Sequence, residues 1–161
     1  MGLPVHRLEW SVNASGVADI DLISKALIWL IGDEKFIEIE KTQSFHGSSM
    51  YIIRANVDKK SSARKSFPRI GSKSIEQLRN SLKDRIDDEN WLHLRLDLDE
   101  LVCGRIVLVE SRDKVEFVKG RIKLEIYPNE IKEDVARRLF DGAEEIAEKL
   151  GFPPLSDVND E

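Results

Sequence analysis

Apolar and polar residues alternate in two stretches of this chain, and this pattern restricts its fold more than any other feature. In HRLEWSV the apolar residues Leu8, Trp10 and Val12 are separated by charged or polar ones, and NWLHLRLD repeats the pattern. A period of two is that of a β-strand with one buried face and one solvated face. Strands of this kind predict an antiparallel sheet that is covered on one side only.

Three other stretches place their apolar residues at helical spacing. The first predicts a helix over residues 18–31, with Gly32 as its C-terminal stop. The second predicts a helix that begins at a capping box made by Ser74 and Gln77. The third predicts a final helix that is capped by Asn129 and lies on the sheet.

Four further segments are rich in β-branched and aromatic residues and predict strands: EKFIEIE, MYIIRANV, GRIVLVE and VEFVKGRIKLEIY, the last with Gly120 as a bulge or bend. The first two are too close for a crossover helix, so they predict an antiparallel hairpin. The predicted order is β-α-β-β-α-β-β-β-α, an α+β fold with a single mostly antiparallel sheet and helices packed on one face. We expect one domain over residues 1–152 and an acidic, disordered tail over 153–161.

The composition argues against several classes of protein. No apolar run approaches the ~20 residues of a membrane helix, which predicts a cytoplasmic protein with no membrane partner. Cys103 is the only cysteine, which excludes an internal disulfide and a multi-cysteine metal site. A nucleophile elbow, a phosphate-binding glycine loop and a histidine pair at metal-ligand spacing are all absent from the sequence. We therefore expect no catalysis, no cofactor and no metal; the alternative is a metal-dependent enzyme built on the clustered carboxylates.

The charge of the chain is unevenly distributed. The formal net charge is -5, yet residues 44–85 carry ten lysines and arginines against three acids, so the remaining segments together are strongly negative. Local charge decides what a surface attracts, so a bipolar molecule can bind a polyanion despite an acidic total. We call residues 44–85 the basic segment and predict that it contains an RNA-binding surface.

Cations in the basic segment alternate with serines, which can also donate hydrogen bonds to phosphate oxygens. The stretch DKKSSARKSFPRIGSKS has no clear period, which predicts a short helical turn and a mobile loop. The candidate RNA-binding cations are Arg54, Lys59, Lys60, Arg64, Lys65, Arg69, Lys73, Arg79 and Lys83.

The strand NWLHLRLD supplies a second set of candidates. If its leucines face the helices, then Trp91, His93 and Arg95 face outward, and Arg121 and Lys123 of a later strand do the same. An exposed tryptophan beside cations suits the stacking of bases. The open side of the sheet therefore becomes a second candidate surface for RNA.

The stretches FHGSSMYIIRANVDKK, WLHLRLDLDELVCGRIVLV and VKGRIKLEIYP, in this order, resemble the archaeal exosome-associated RNA-binding protein family. Members of that family are similar in fold to the large-subunit ribosomal protein that contacts 5S ribosomal RNA. The resemblance covers about residues 6–150 and adds His46, of the pair His46–Gly47, to the candidate RNA-binding residues, although Ser48–Ser49 replace the family's Asn-Pro. It implies a non-catalytic RNA-binding protein linked to RNA processing or degradation, with an RNA-degradation complex as a partner.

Two other interpretations of the basic segment stay open at this point. One is a solubilising surface without a partner. The other is a homodimer in which the basic segment of one subunit contacts the acidic final helix of the next, since opposite charges favour such a contact.

Overall fold

The computed structural model describes residues 2–43, 46–110, 113 and 115–155. In these residues five strands form: β1 (Val5–Ser15), β2 (Ile37–Gln43), β3 (Ser49–Val57), β4 (Trp91–Asp97) and β5 (Phe117–Leu124). Five α-helices accompany them: α1 (Ile20–Ile31), α2 (Lys60–Ser66), α3 (Ser72–Asn80), α4 (Leu98–Val102) and α5 (Lys132–Leu150). Short 3-10 turns cover Glu34–Phe36 and Phe67–Ile70.

The strands form one antiparallel sheet in the order β2-β3-β1-β5-β4. The apolar residues of β1 that alternate in the sequence, among them Leu8, Trp10 and Val12, are buried on the side of the helices. Phe67, just after α2, stacks on Phe140 of α5 with ring centroids 6.4 Å apart, which closes the core above the sheet. The predicted α+β class, with a single sheet and helices on one face, is confirmed.

Helix α1 begins slightly later than predicted, at Ile20, where the side chain of Asp19 caps it by accepting a hydrogen bond of 3.0 Å from the amide of Leu22. Two other local predictions are confirmed. Gly32 ends α1 in a left-handed conformation with φ 84°, which glycine adopts without strain. Strands β2 and β3 form the predicted antiparallel hairpin, in which Ile39 pairs with Ile53.

Two of the three predicted helix starts are wrong. Helix α3 begins at Ser72 after Gly71, so Ser74 lies inside the helix, where it is buried and makes no cap. Helix α5 begins at Lys132, because Asn129 takes a left-handed backbone conformation in the turn that precedes it. Polar residues that can cap a helix also favour turns, and the sequence pattern does not separate the two uses.

The middle of the chain contains less strand and more helix than its pattern predicts. GRIVLVE forms no strand of its own; it lies along the outer edge of β4, where the amide of Val109 donates to the carbonyl of Arg95 at 3.0 Å. Gly120, predicted as a bulge, sits in regular pairing between β1 and β4. The predicted basic loop is largely helical, since α2 and a 3-10 turn occupy it.

The acidic tail predicted from residue 153 lies, from residue 156 onward, outside the described residues. Within the part of the chain that the structure describes, no helix is both long enough and apolar enough to cross a bilayer.

Gly120 provides a test of how the sheet is covered. A Cβ placed on Gly120 would lie 2.3 Å from the ring of Trp10, which packs over it. We expect Gly120→Ala to lower the free energy of unfolding by ~1–3 kcal/mol through overpacking, measured by urea denaturation. In a Trp10→Leu background the same substitution should have a smaller effect, and an equal loss in both backgrounds would contradict this packing.

Arg79 provides a test of how α3 is held on α5. Its guanidinium contacts Glu76 on its own helix, and also Asp141 at 3.0 Å and Glu144 at 3.1 Å on α5. We expect Arg79→Met to lower the free energy of unfolding by ~1 kcal/mol at low salt, because it also leaves the three carboxylates facing one another. Lys73→Met, at an exposed position of the same helix, is the matched control and should change stability less.

Candidate nucleic-acid interface

The side of the sheet opposite the helices carries a cluster of cations. Alternation along the strands turns Arg7 of β1, Arg95 of β4 and three residues of β5 to this side. Register places them next to one another, since Arg7 pairs with Lys123 and Arg95 pairs with Lys119. We call this cluster the basic face; it consists of Arg7, Arg95, Lys119, Arg121 and Lys123.

Trp91 lies at the centre of one part of the basic face. The charged groups of Arg121, Arg7 and Lys123 lie 4.3, 5.1 and 5.4 Å from the centroid of its ring. Trp91 therefore faces outward as predicted, but it is covered by these cations and only 6% exposed. The prediction of an exposed stacking tryptophan is wrong; the indole instead holds three like charges together through its negative ring face.

Few carboxylates neutralise the basic face. Arg121 contacts Glu9 at 3.5 Å, and Lys123 donates to the carbonyl oxygen of Glu89, which carries no net charge. Within the described residues, no carboxylate oxygen lies within 4.0 Å of the charged groups of Arg7, Lys119 or Lys123. Most of the charge on this face is thus available to an external anion.

On β4, His93 lies beside the basic face, two residues before Arg95. The His93 ring nitrogen Nε2 lies 2.7 Å from the Asp87 carboxylate. Burial acts to raise the pKa of Asp87, but hydrogen bonds from His93 and from the amides of Trp91 and Glu89 outweigh it and hold this pKa below its usual value. The guanidinium of Arg95 lies 4.3 Å from the ring centroid of Phe117.

The cations of the basic segment lie on different sides of the fold and have different partners. Arg54 faces the open side of the sheet but contacts Glu40 at 2.9 Å. On the helix side, Lys60 contacts Glu125, and Arg64 donates to the carbonyl of Leu3 at 2.9 Å. These contacts tie the strand ends and the N-terminal residues to α2, so much of the basic segment serves to hold the fold together.

Arg69 and Arg79 are the most strongly held of these cations. Arg69 donates to the carbonyls of Trp29 at 2.7 Å and Leu30 at 3.2 Å, and burial lowers the pKa of its guanidinium. Arg79 is bound to carboxylates, above all by a hydrogen bond to Glu144 that raises its pKa. Lys59, Lys65, Lys73, Lys83 and His46 are exposed.

The structure therefore does not gather the predicted residues on one surface. It brings Trp91, His93 and Arg95 together with Arg121 and Lys123, and that outward orientation is confirmed. Sequence reasoning missed Arg7 and Lys119 as members of this cluster. The signal for them lies in the register across three strands, which a single sequence does not reveal.

His6 links the basic face to the cations of α2. It lies where the register of β1 and β5 shifts between Val5 and Arg7. Burial lowers the pKa of His6, and the nearby charges of Lys60, Lys123, Arg64 and Arg7 lower it further. Two of these cations belong to the basic face and two to α2, so His6 lies between the two groups, with the carboxylate of Glu125 3.7 Å from its Nδ1.

Comparison with known proteins agrees with a nucleic-acid interface. A family model described as RNA binding matches residues 7–127, which include all five strands except the first residues of β1. No curated protein matches the chain significantly.

Solved archaeal structures share this fold. A DUF54 protein from Methanothermobacter thermautotrophicus is 24% identical with a TM-score of 0.64, and the match covers 89% of this chain and 98% of that one. A DUF54 protein from Archaeoglobus fulgidus is 22% identical with a TM-score of 0.65 over 88% and 99% of the two chains. A UPF0201 protein from Methanococcus jannaschii is 11% identical with a TM-score of 0.55 over 83% and 98%. Because the family model spans most of its length, the chain belongs to the family described as RNA binding.

Proposed function

We propose that this protein binds single-stranded RNA across the open side of its sheet, with the basic face holding the phosphates. The observation that carries the proposal is the gathering of cations around Trp91 with few carboxylates beside them. Like charges held this close repel one another, and a bound polyanion relieves that repulsion. Membership of an RNA-binding family supports RNA as the polyanion.

The arginines of the basic face also suit contact with bases. Arg7 is exposed, and Arg121 keeps 39% of its side chain exposed while it lies over the indole of Trp91. Guanidinium planes can stack on unpaired bases, which single-stranded RNA presents and a duplex hides. This contact replaces the direct stacking on Trp91 that the sequence suggested.

We further propose that the protein is a non-catalytic, cytoplasmic accessory factor in archaeal RNA processing or degradation that joins an RNA-degradation complex. This proposal rests on the resemblance to the exosome-associated family. The same resemblance is the basis for proposing that the fold is related to that of the ribosomal protein that contacts 5S RNA. Phosphate contacts that do not read bases fit such a role, since an accessory factor must accept RNAs of many sequences. Its test is recovery of the protein from archaeal cells after crosslinking, with exosome subunits expected beside the RNA.

A homodimer remains the second proposal for the basic segment. Opposite charges of the basic segment and of α5 already meet inside one chain, because Arg79 contacts Asp141 and Glu144. That contact leaves less complementary charge for a second subunit, so we favour RNA. Light scattering across a salt series, with protein alone, tests the dimer: a molar mass that doubles at low salt would support it.

Salt dependence tests the proposed interface. If Arg7, Lys119, Arg121 and Lys123 contact phosphates of single-stranded RNA, log affinity should fall with log salt with a slope of roughly −2.8. The variant Lys119→Ala/Lys123→Ala should reduce the slope by roughly 1.4. The paired control Lys59→Ala/Lys65→Ala, with Lys59 at the N-cap of α2 and Lys65 within it, should leave the slope nearly unchanged. A larger effect of the control pair would place the phosphates on the basic segment instead.

His6 provides an internal reporter of bound phosphate. Its pKa is lowered by burial and by four cations, so RNA phosphates near those cations should raise it. By linkage, RNA affinity should then increase as pH falls through the His6 transition, because the bound state takes up the proton more readily. NMR titration of the His6 ring with and without RNA measures this change. His46, in the hairpin turn at the other end of β1, is the control because it lies far from the basic face.

A further inference from the structure

A cleft of about 380 Å³ opens on the outer edge of β4, beside the basic face. It is bordered by residues 81–85 on one side and by Val109 and Glu110 on the other. The basic residues that line it are Lys83, Arg85, His93, Arg95 and Lys119. Its volume lies in the range of small-ligand sites, roughly 300–1,000 Å³.

The cleft exists because two segments cover the edge of β4 incompletely. Upstream, the amide of His93 donates to the carbonyl of Arg85 at 2.8 Å. Downstream, the amide of Val109 donates to the carbonyl of Arg95 at 3.0 Å. Leu94 lies between these two contacts, and the cleft opens beside it. The two segments therefore form walls at the point where the open side of the sheet ends.

The charge within the cleft is not balanced. Among the described residues that line it, Asp84 and Glu110 are the only acids, against two lysines and two arginines. Within the described residues, no carboxylate oxygen lies within 4.0 Å of the charged groups of Lys83, Arg85 or Lys119. The cleft thus offers more positive charge than a single phosphodiester carries.

Arg85 is the strongest indication that an anion belongs here. Its guanidinium donates to the carbonyls of Ser81 at 2.9 Å and of His93 at 3.1 Å, and to the Ser81 hydroxyl at 3.0 Å. All these hydrogen-bond partners are neutral, and burial lowers the pKa of the guanidinium, an effect that the nearby charge of Glu110 opposes only in part. A partly buried cation whose hydrogen bonds go only to neutral groups is further stabilised by an anion placed beside it.

We propose that this cleft binds the terminal phosphate monoester of an RNA strand that lies across the basic face. A monoester carries about −1.5 to −2 charges near pH 7, whereas each internal phosphodiester carries one. The two walls at the edge of β4 block the path of an RNA strand that crosses the sheet, so the end of the RNA lies in the cleft. This inference rests on the proposed function, and it adds recognition of an RNA end to the phosphate contacts of the basic face.

The test compares the ends of one short single-stranded RNA that carries an internal fluorophore. Three forms are used: a 5′-phosphate, a 3′-phosphate, and hydroxyls at both ends. Fluorescence anisotropy near pH 7 should show one phosphorylated form binding about fivefold more tightly than the form with two hydroxyls. If the 5′-phosphorylated form binds more tightly, the 5′ end enters the cleft; if the 3′-phosphorylated form does, the 3′ end enters it.

Two variants assign the preference to the cleft. Lys83→Ala should reduce the preference to less than about twofold and should change the affinity for the form with two hydroxyls little. Lys73→Ala, an exposed lysine of α3 outside the cleft, should keep the full preference. Equal affinities of the three forms for the wild type, or an unchanged preference in Lys83→Ala, would overturn the inference and leave the proposed function intact. Failure of all three forms to bind would overturn the proposed function and this inference with it.

Discussion

Packing of the helices against one face of the sheet is the constraint on which the interface depends. The helices bury the apolar residues of β1, β3, β4 and β5 on one side, so alternation must present the intervening residues to solvent on the other. In β5 these intervening residues are mainly cationic, and β1 and β4 each add one arginine, Arg7 and Arg95. Register then aligns cations on neighbouring strands, and Trp91 draws three of them over one ring. The basic face is a consequence of the same pattern that makes the core.

The distribution of carboxylates decides which cations can bind RNA. An acidic total charge does not prevent the binding of a polyanion, but a carboxylate beside each cation would prevent it. Contacts with carboxylates occupy Arg54, Lys60 and Arg79 of the basic segment, whereas Arg64 and Arg69 donate to backbone carbonyls. The number of cations in a segment is therefore a poor guide to its ability to bind RNA, because many of these cations contact groups inside the fold.

Much of the fold could be predicted from the sequence, because alternation and helical spacing are local patterns. The end of α1 at Gly32 also follows from a single residue, because glycine adopts the left-handed conformation without strain. Ser74 and Asn129 show the limit: each can cap a helix, but tertiary packing buries the first and places the second in a turn. The open side of the sheet was predictable, whereas the covering of Trp91 required the register of three strands.

We propose that RNA lies on the open side of the sheet rather than on the helix side. Backbone amide chemical shifts, recorded while single-stranded RNA is added, distinguish the two sides because they report on residues throughout the fold. RNA on the open side should cause the largest changes on β1, β4 and β5 around Arg7, His93 and Lys119–Lys123. Changes concentrated on α2 and α3, with the amides of β4 and β5 unaffected, would contradict it.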